Sequence, residues 1–404
     1  MSFDLFAYRK LQDTAADCED RCDQIEREMR DPKAAERFAL KQSQAFVDQM
    51  EGFALELEDE LMNFSDVSYK SFVKSESEII TLFYDKFADI PLLSRMDAVA
   101  ETFIDEIETL LNRDLPEEER IPLIEKFRKM YETMDFYVLY NRFLKKEGYQ
   151  TLPRRPLEKR KLRYEDVYPV LYLKYRLSRQ AERSNIKHLV IDEMQDYSRL
   201  QYLIIRRMFS CKMTILGDRA QTMADHQQDV LQFLPGIFGK DLRRIEMRKS
   251  YRNTVEIASY AANLIGVTDL ELFERHGMPV LERDVTDLEA ALREAVDTLF
   301  PDEKTYETAA VIVPDAKTAE RAYLILREIL AEKDFDCGKR LSWLNRDSSS
   351  FKKGLTVTTF YLAKGLEFDQ VFSIFPKDEK REMMMQAQYI AATRALHELR
   401  VYHI

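Results

Sequence analysis

Glycine is scarce in the first part of this chain, and cysteine is scarce throughout. Residues 1–150 contain only two glycines, Gly52 and Gly148. Four cysteines in 404 residues are too few to form a disulfide scaffold. Cys18 and Cys22 lie four positions apart on one face of a predicted helix, but a metal centre needs further ligands, and none of the five histidines is near them in sequence. These absences exclude a disulfide-stabilised secreted domain and argue against a cysteine metal centre.

Long apolar runs are also missing. The hydrophobic runs are only a few residues long, far short of the roughly 20 that a membrane helix needs. The sequence MSFDLFAYRK at the start has no basic region followed by an apolar core, so it does not predict a secretory signal. The chain is 33% charged and 45% hydrophobic, which is usual for a soluble folded protein. We therefore expect a cytoplasmic protein of two or three domains that does not associate with a membrane.

Charge is distributed unevenly along the chain. Residues 1–150 contain 20 Lys+Arg and 34 Asp+Glu, a net charge of −14, whereas the remainder contains 41 and 38, a net charge of +3. A surface with this acidic excess is not expected to lie along a nucleic-acid backbone. The two parts of the chain are therefore predicted to have different roles.

The acidic part has the hydrophobic periodicity of helices. Apolar residues recur at helical spacing among charges, as at Phe46, Met50, Phe53, Leu57 and Leu61. With so few glycines, this pattern predicts an all-helical domain of several long helices. Helix breaks are expected at Pro32, near Pro91 and within residues 116–122.

From about residue 185 the pattern changes to short apolar runs that alternate with amphipathic stretches. The predicted strands are 189–191, 213–216, 309–313, 355–359, 371–374 and 399–402. The predicted helices between them include 197–209, 254–265, 316–331 and 386–397. Alternation of strands and helices predicts α/β domains with parallel sheets.

Two sequence motifs place polar residues directly after predicted strands. In HLVIDEMQDYS, Asp192 and Glu193 follow a buried strand, at the sheet edge where α/β proteins bind ligands. One carboxylate there can hold Mg²⁺, and its neighbour can orient or deprotonate an attacking water. In MTILGDRAQT, Gly217 permits a tight turn, and Gln221 is suited to sensing a phosphate. Taken alone, each motif could equally be a solvated strand end or an ordinary strand–turn–helix.

Three further motifs supply an aromatic ring, arginines and a glycine. In RKSYRNT, Tyr251 offers a face for a base and Arg252 a planar charged fork for phosphate oxygens. In GLTVTTFYLAKGLEFDQVFSI, Gly365 allows close backbone approach and Glu367 could accept hydrogen bonds from ribose hydroxyls. In QYIAATRALHEL, Arg394 could reach a phosphate across a domain cleft or form a salt bridge on a helix surface.

In this order, the five motifs resemble motifs II to VI of UvrD-like superfamily 1 helicases. The segment RYEDVYPVLYLKYRL, residues 163–177, further resembles the HelD branch, whose members are motors associated with bacterial RNA polymerase. The resemblance covers about residues 160–404. It implies an α/β fold of RecA-like P-loop NTPase domains that use ATP and Mg²⁺.

The resemblance also implies a role for each matching position. Asp192 would hold Mg²⁺, Glu193 would be the catalytic base, Gln221 would sense the γ-phosphate, Tyr251 would stack on adenine, Arg252 and Arg394 would contact the γ-phosphate, Glu367 would hold the ribose, and Gly365 would lie beside the nucleotide. Gln195 and Asp196 would complete motif II and couple it to neighbouring elements. Tyr361 departs from the family, which often has histidine at that position.

A phosphate-binding loop, GxxxxGK[ST], is absent from the sequence. The only Gly-Lys pairs, at Gly239 and Gly338, lack a glycine five positions earlier and are followed by Asp241 and Arg340. Motif I is therefore missing, and the start of the chain resembles the interior of a longer family member. The sequence predicts the C-terminal portion of such a motor, inactive in ATP hydrolysis on its own.

We expect three parts. Residues 1–155 form an acidic helical arm inserted in the first motor domain, 156–250 the C-terminal half of a first, incomplete RecA-like domain, and 251–404 a second RecA-like domain. The expected partners are DNA, as a single strand or a duplex junction, and RNA polymerase through residues 1–150. The alternative is a non-enzymatic degenerate motor that acts as an acidic protein-binding module. A nuclease–helicase fragment is disfavoured because no nuclease cluster follows motif VI.

Overall fold

The computed structural model describes residues 3–179, 185–218, 221, 223, 229–247, 249–267, 271–299, 306–332, 341–346, 348, 353–377 and 381–404. The α-helices in this described part are α1 (Phe3–Lys10), α2 (Arg21–Arg30), α3 (Pro32–Gln42), α4 (Gln44–Glu60), α5 (Glu76–Thr81), α6 (Leu92–Leu111), α7 (Glu117–Arg128), α8 (Phe136–Lys146), α9 (Tyr164–Leu177), α10 (Arg199–Met208), α11 (Val230–Phe238), α12 (Val255–Leu264), α13 (Leu288–Asp297), α14 (Ala316–Glu332), α15 (Phe360–Ala363) and α16 (Glu382–Thr393).

The strands in the same ranges are β1 (Asp17–Cys18), β2 (Val67–Tyr69), β3 (Phe72–Lys74), β4 (Lys161–Leu162), β5 (His188–Ile191), β6 (Lys212–Ile215), β7 (Lys249–Ser250), β8 (Glu271–Leu272), β9 (Leu281–Asp284), β10 (Thr308–Val313), β11 (Leu341–Trp343), β12 (Gly354–Thr359), β13 (Phe368–Phe375) and β14 (Ala395–His403). None of the helices described here is both long and apolar enough to cross a membrane.

Local sequence explains where the helices of the acidic part begin. The Ser43 side chain accepts a hydrogen bond from Phe46 N and so caps α4, whose predicted apolar face is buried. Asp20 and Asp23 form a reciprocal capping box at the start of α2. Two of the three expected helix breaks are confirmed, because α3 begins at Pro32 and Pro91 precedes α6.

The prediction that residues 1–150 are all helical is wrong at two places, and at the first of them β1 pairs in parallel with β4. Strands β2 and β3 pair as an antiparallel hairpin. Its turn contains Lys70 at a φ of 55°, a conformation that usually selects glycine or asparagine, so the sequence carried no turn signal there. The third expected break, within residues 116–122, is confirmed at Pro116, which is the N-cap of α7, whereas Pro122 lies inside that helix.

One hydrophobic core joins the acidic part to the first two strands that carry motifs. It runs from Phe6 on α1 to Leu234 on α11 and includes Ile191 on β5. Helix α9 lies at its centre and contacts α1, α3, α4, α8 and α10. The helices before residue 155 are therefore packed continuously against the elements that follow.

The second part of the chain is built on a six-stranded sheet. The strand order is β11-β12-β10-β13-β14-β9, and every pairing is parallel. Alternate residues of β10 enter different cores: Ala309 and Val311 pack with α13 and α14, whereas Ala310 and Ile312 pack with α12 and α16. Helices thus cover both faces of a parallel sheet, as expected for this arrangement. The predicted α/β class is confirmed, and the predicted strands lie within a few residues of the observed ones.

Strands β5 and β6 form a separate parallel pair with one uncovered face. Ile191 of β5 points into the first core, whereas Val190 is 60% exposed. Parallel sheets are normally covered on both sides, so this small sheet is only half buried.

Candidate active site

The carboxyl ends of β5 and β6 meet at one point. Leu216 N donates to Ile191 O, and Met194 N donates to Leu216 O, each at 2.8 Å, so the loops after both strands run side by side. Between them lies Glu193, whose backbone has a φ of 53°. Residues other than glycine rarely adopt this left-handed conformation, and it is often found at functional sites.

The two carboxylates after β5 have different surroundings. Asp192 is exposed, and its Oδ1 accepts a hydrogen bond from Glu193 N at 2.8 Å. The Glu193 Oε2 atom accepts from Gln195 Nε2 at 2.6 Å, which fixes its orientation. In the described part of the chain no group of three or more His, Cys, Asp or Glu is placed to hold a metal ion. A single exposed carboxylate still suits Mg²⁺, which keeps several waters and binds substrate phosphates.

Gly217 allows the two loops to pack closely. A Cβ atom at this position would lie 2.5 Å from Gln195 Oε1 and 2.6 Å from Met194 N. The same Gln195 oxygen accepts from Asp218 N at 3.1 Å. Glycine is required here for close approach of the loops, whereas the sequence analysis expected it to permit a tight turn.

Lys364 crosses from the second part of the chain to this point. Its Nζ lies 2.6 Å from Asp196 Oδ1 and 3.4 Å from Glu193 Oε2, and it donates to the backbone oxygen of Gln221 at 3.1 Å. Its side chain is 7% exposed. Burial raises the pKa of Asp196, and the Lys364 ammonium opposes that shift. One ammonium therefore donates to Asp196 and to the Gln221 carbonyl and forms an ion pair with Glu193, all in the loops after β5 and β6.

Gln221 and Arg394 are in direct contact. Arg394 Nη2 donates to Gln221 Oε1 at 3.0 Å, and Gln221 Nε2 donates to Asp218 Oδ2 at 3.0 Å. The Tyr389 hydroxyl also donates to Asp218 Oδ2, at 3.2 Å. Residues of α16 and at its end thus reach the loop after β6. The roles that the family resemblance implies for Gln221 and Arg394 require these two side chains to lie close together.

The two candidate arginines lie close to each other and to acidic side chains. Arg394 is 1% exposed, and burial lowers the pKa of its guanidinium. The positive charge of Arg252 lowers it further, whereas Glu193 and Glu367 oppose the shift. Arg252 Nε lies 2.6 Å from Glu367 Oε1, and both side chains remain partly exposed. Two neighbouring guanidinium groups are a suitable pair of donors for a bound phosphate.

The remaining candidates lie at the margin of the cluster. Tyr251, beside Arg252 in the chain, is 61% exposed and packs on Phe273 with ring centroids 5.7 Å apart. Gly365, next to Lys364, has a φ of 83°, which a side chain would strain. The prediction that Cys18 and Cys22 share a helix is wrong, because Cys18 lies on β1 and Cys22 on α2.

Sequence reasoning missed two positioning residues. Lys364 lies inside the motif AKGLEF, but the family resemblance gave it no role. Asn253 follows Arg252, and its Nδ2 donates to Thr393 O at 3.2 Å and Ala395 O at 2.7 Å, tying the loop after β7 to the start of β14. Lys364 and Asn253 both lie within the sequence motifs, and this position was the signal that could have identified them.

The loops after β5 and β6 contact Lys364 and Arg394, which lie before β13 and β14 of the six-stranded sheet, and two parallel α/β units of this kind fit a RecA-like helicase fold. The chain belongs to the UvrD/REP helicase family. The family model of the UvrD/REP helicase N-terminal domain matches residues 2–226, more than half of the chain. Among the curated proteins, none matches the chain.

Several solved structures are similar over part of the chain. The C-terminal domain of a possible DNA helicase from Lactobacillus plantarum WCFS1 is 24% identical, with a TM-score of 0.30; the match covers 38% of this chain and 88% of that domain. The PRRSV helicase is 14% identical, with a TM-score of 0.32, covering 66% of this chain and 45% of that one. Arterivirus nonstructural protein 10 is 15% identical, with a TM-score of 0.30, covering 66% and 50%. The chain spans about half the length of these viral helicases, and the family assignment rests on the family model.

Proposed function

We propose that this chain is the C-terminal part of an ATP-dependent UvrD-like motor, with its nucleotide site where the β5–β6 loops meet the six-stranded sheet. The observation that carries the proposal is the buried Arg394, which contacts Gln221 and lies close to Arg252. In this proposal the parts are those inferred from sequence, with an arm at 1–155, half of a first motor domain at 156–250 and a second motor domain at 251–404.

The mechanism follows from what each side chain can do. Bound ATP would supply the phosphoanhydride bond, and Mg²⁺ would neutralise charge on its phosphates. Asp192 offers the metal an exposed carboxylate, and Glu193, oriented by Gln195, takes a proton from the attacking water. Arg252 and Arg394 stabilise the negative charge that develops on the transferred phosphoryl group.

The nucleotide would be held by residues beside these groups. Tyr251 presents an exposed ring for adenine, Glu367 accepts from the ribose, and the backbone at Gly365 lies beside them. Gln221 already donates to Asp218 and accepts from Arg394. A change at the phosphate would therefore alter contacts in both motor parts.

We further propose that a phosphate-binding loop, which this sequence lacks, is needed to complete the nucleotide site. The uncovered face of the β5–β6 sheet supports this, because Val190 is exposed on it. Residues 242–247 also support it: they are neither helix nor strand, and Ile245 and Met247 are 74% and 88% exposed. Exposed apolar side chains of this kind leave room for a further element to pack on this part of the protein.

Turnover measurements test the nucleotide site. The chain alone should hydrolyse ATP negligibly, and DNA-stimulated turnover that Glu193→Gln abolishes would contradict this. In a longer protein that supplies GxxxxGK[ST], Arg252→Ala and Arg394→Ala should each lower kcat, by roughly 10³-fold where a charge-stabilising arginine is lost. Asp192→Ala should lower it as well. Arg293→Ala, an exposed arginine on α13, is the matched control. Near-normal kcat in both site variants would remove the assignment.

The motor would act on nucleic acid in the cytoplasm. Family membership makes DNA, as a single strand or a junction, the leading track, bound mainly after residue 150, where the net charge is +3. Phosphate contacts dominate such binding, so affinity should fall steeply with salt. Tight binding that survives high salt would contradict the proposed interface.

The acidic arm is proposed to bind a basic protein surface. Resemblance to the HelD branch makes the DNA channel of RNA polymerase the leading candidate, because an acidic helical surface can occupy a channel built for nucleic acid. Not all of its carboxylates are available: Glu58 holds the buried Arg95 at 3.0 Å, and Glu56 pairs with Lys146.

Binding of polymerase to the full chain tests the arm. Reversing the exposed Asp59 and Glu60 to lysine should weaken binding without disturbing the Glu58–Arg95 pair. Salt should weaken it further, because exposed charges are screened. Glu193→Gln should leave binding unchanged. If the full chain does not bind polymerase at low salt, the arm is a solvated spacer.

A further inference from the structure

Helix α2 belongs to the acidic part in sequence but is seated on the second sheet. Ile25 is 1% exposed and lies in the core formed by α12, α15 and α16, together with the partly buried Cys22 and Met29. A helix near the start of the arm therefore closes one side of the second motor part.

Glu26 on α2 binds two donors at the carboxyl edge of that sheet. Its Oε1 accepts from Ala316 N at 2.8 Å, at the start of α14, and from the Tyr361 hydroxyl at 2.5 Å, in α15. Helix α14 follows β10, and α15 follows β12. Burial raises the pKa of Tyr361, and the hydrogen bond to Glu26 raises it further, so the hydroxyl stays a neutral donor. The Glu26 side chain is 9% exposed, and Arg30 binds its other oxygen at 2.8 Å.

Further polar contacts fasten α2 to the same surface. Arg346 Nη1 lies 2.6 Å from Asp23 Oδ1. Arg381, at the start of α16, donates to the last carbonyl oxygens of α2, those of Glu28 and Met29, at 3.4 and 3.1 Å. The acidic side of α2 therefore faces donors and cations of the second motor part.

These donors have the chemistry of a phosphate site. The N–H groups at a helix start, a hydroxyl and arginine side chains are groups that bind backbone phosphates of nucleic acids. The edge beyond the carboxyl ends of parallel strands is where such folds bind ligands. An open cleft of about 470 Å³ lies here, lined by Ala316, by Arg346, by Arg27 and Arg30 of α2 itself, and by the carboxylates of Glu19, Asp23, Glu26 and Asp31. In the present structure the Glu26 carboxylate occupies the donors Ala316 N and Tyr361 Oη.

We propose that α2 is an autoinhibitory latch, in which the Glu26 carboxylate takes the place of a backbone phosphate of a single-stranded nucleic acid. Binding of the strand then releases Glu26 from Ala316 and Tyr361 and frees Arg346 from Asp23. The latch proposal rests on the proposed nucleic-acid-driven function. It extends that function by identifying α2 as the helix that keeps the nucleic-acid site closed.

The latch lowers the apparent affinity for the strand by the fraction of molecules that are open. If the open fraction is about one tenth, removing the carboxylate tightens binding about tenfold. Glu26→Gln should have a smaller effect than Glu26→Ala, because an amide oxygen still accepts from Ala316. The gain should be reduced in the double variant Glu26→Ala/Arg346→Ala, because the strand then loses a cation.

Fluorescence anisotropy with a labelled single-stranded oligothymidylate at low salt tests the latch. The matched control is Glu36→Ala, which removes an exposed carboxylate from the adjacent helix α3. Glu26→Ala should bind severalfold more tightly than Glu36→Ala. Hydrogen exchange on the wild-type chain gives a test that needs no variant: amides of residues 21–30 should exchange faster when the oligonucleotide is bound.

The possible outcomes distinguish a failure of the latch proposal from a failure of the proposed function on which it rests. If the chain binds oligothymidylate, but Glu26→Ala is no tighter than the control and α2 exchange is unchanged, the latch is wrong and the proposed function stands. If neither the wild type nor Glu26→Ala binds at low salt, the nucleic-acid-driven function is wrong and the latch falls with it.

Discussion

Replacing Gly217 by alanine tests how tightly the site loops are packed. The new Cβ would lie 2.5 Å from Gln195 Oε1 and Met194 Cγ, and 2.6 Å from the Met194 backbone nitrogen. The side-chain atoms can move, but the backbone nitrogen is fixed by its bond to Leu216 O. Overpacking of this kind costs about 1–3 kcal/mol. We therefore expect the free energy of unfolding to fall by about 2 kcal/mol, near the middle of that range.

The control for this prediction is the same substitution where space is open. Gly52 lies inside α4, and a Cβ there meets nothing within 4 Å. Gly52→Ala should stabilise the protein by about 0.5–1 kcal/mol, because glycine loses more backbone freedom on folding. Both glycines adjoin the same core, so urea unfolding followed by circular dichroism compares them directly. Equal effects of the two substitutions, or a loss below about 0.5 kcal/mol at Gly217, would refute the packing argument.

Two further predictions concern buried carboxylates of the acidic part. Asp166→Asn should lower the free energy of unfolding by about 3 kcal/mol, because Asp166 Oδ1 binds the buried Lys41 at 2.6 Å and the Tyr140 hydroxyl at 2.7 Å; Asp59→Asn on the exposed surface should change it little in the same urea titration. Burial raises the pKa of Asp4, so its contribution is largest below the unfolded pKa and is lost as pH rises through the folded value. Asp4→Asn should therefore be more stable than wild type at pH 7 and nearly equal at pH 3; a constant difference between the two pH values would contradict this.

The sequence could predict the elements whose signals are local. Apolar runs such as 309–313 and 355–359 are continuous because both faces of the six-stranded sheet are covered, and their bounds were found within a few residues. The polar residues after β5 and β6 were predictable for the same reason, since parallel strands bring their carboxyl ends to one edge.

Contacts between distant segments could not be predicted from the sequence. Glu26 and Tyr361 are 335 positions apart, and Lys364 is 168 positions from Asp196. Neither the sequence of α2 nor the AKGLEF motif indicates which residue its side chains contact. A carboxylate on a helix, for example, can equally well face solvent. The continuous core between the arm and β5 could not be predicted from the sequence either. The amino-acid composition changes near residue 155, but the hydrophobic packing continues across that point.

The acidic residues that give residues 1–150 a net charge of −14 have different roles in the fold. A change in ionic strength distinguishes these roles. Glu58 neutralises the buried Arg95, and Glu26 is held on the second sheet with a side chain 9% exposed. Asp59 and Glu60 face solvent. Salt screens exposed charges far more than buried ones, so it should weaken any contact made through Asp59 and Glu60 while leaving Glu26 in place. Slow hydrogen exchange at the Ala316 amide, retained at a salt concentration that abolishes arm binding, is the expected result; loss of both together would mean that α2 is held by surface charge rather than by its buried contacts.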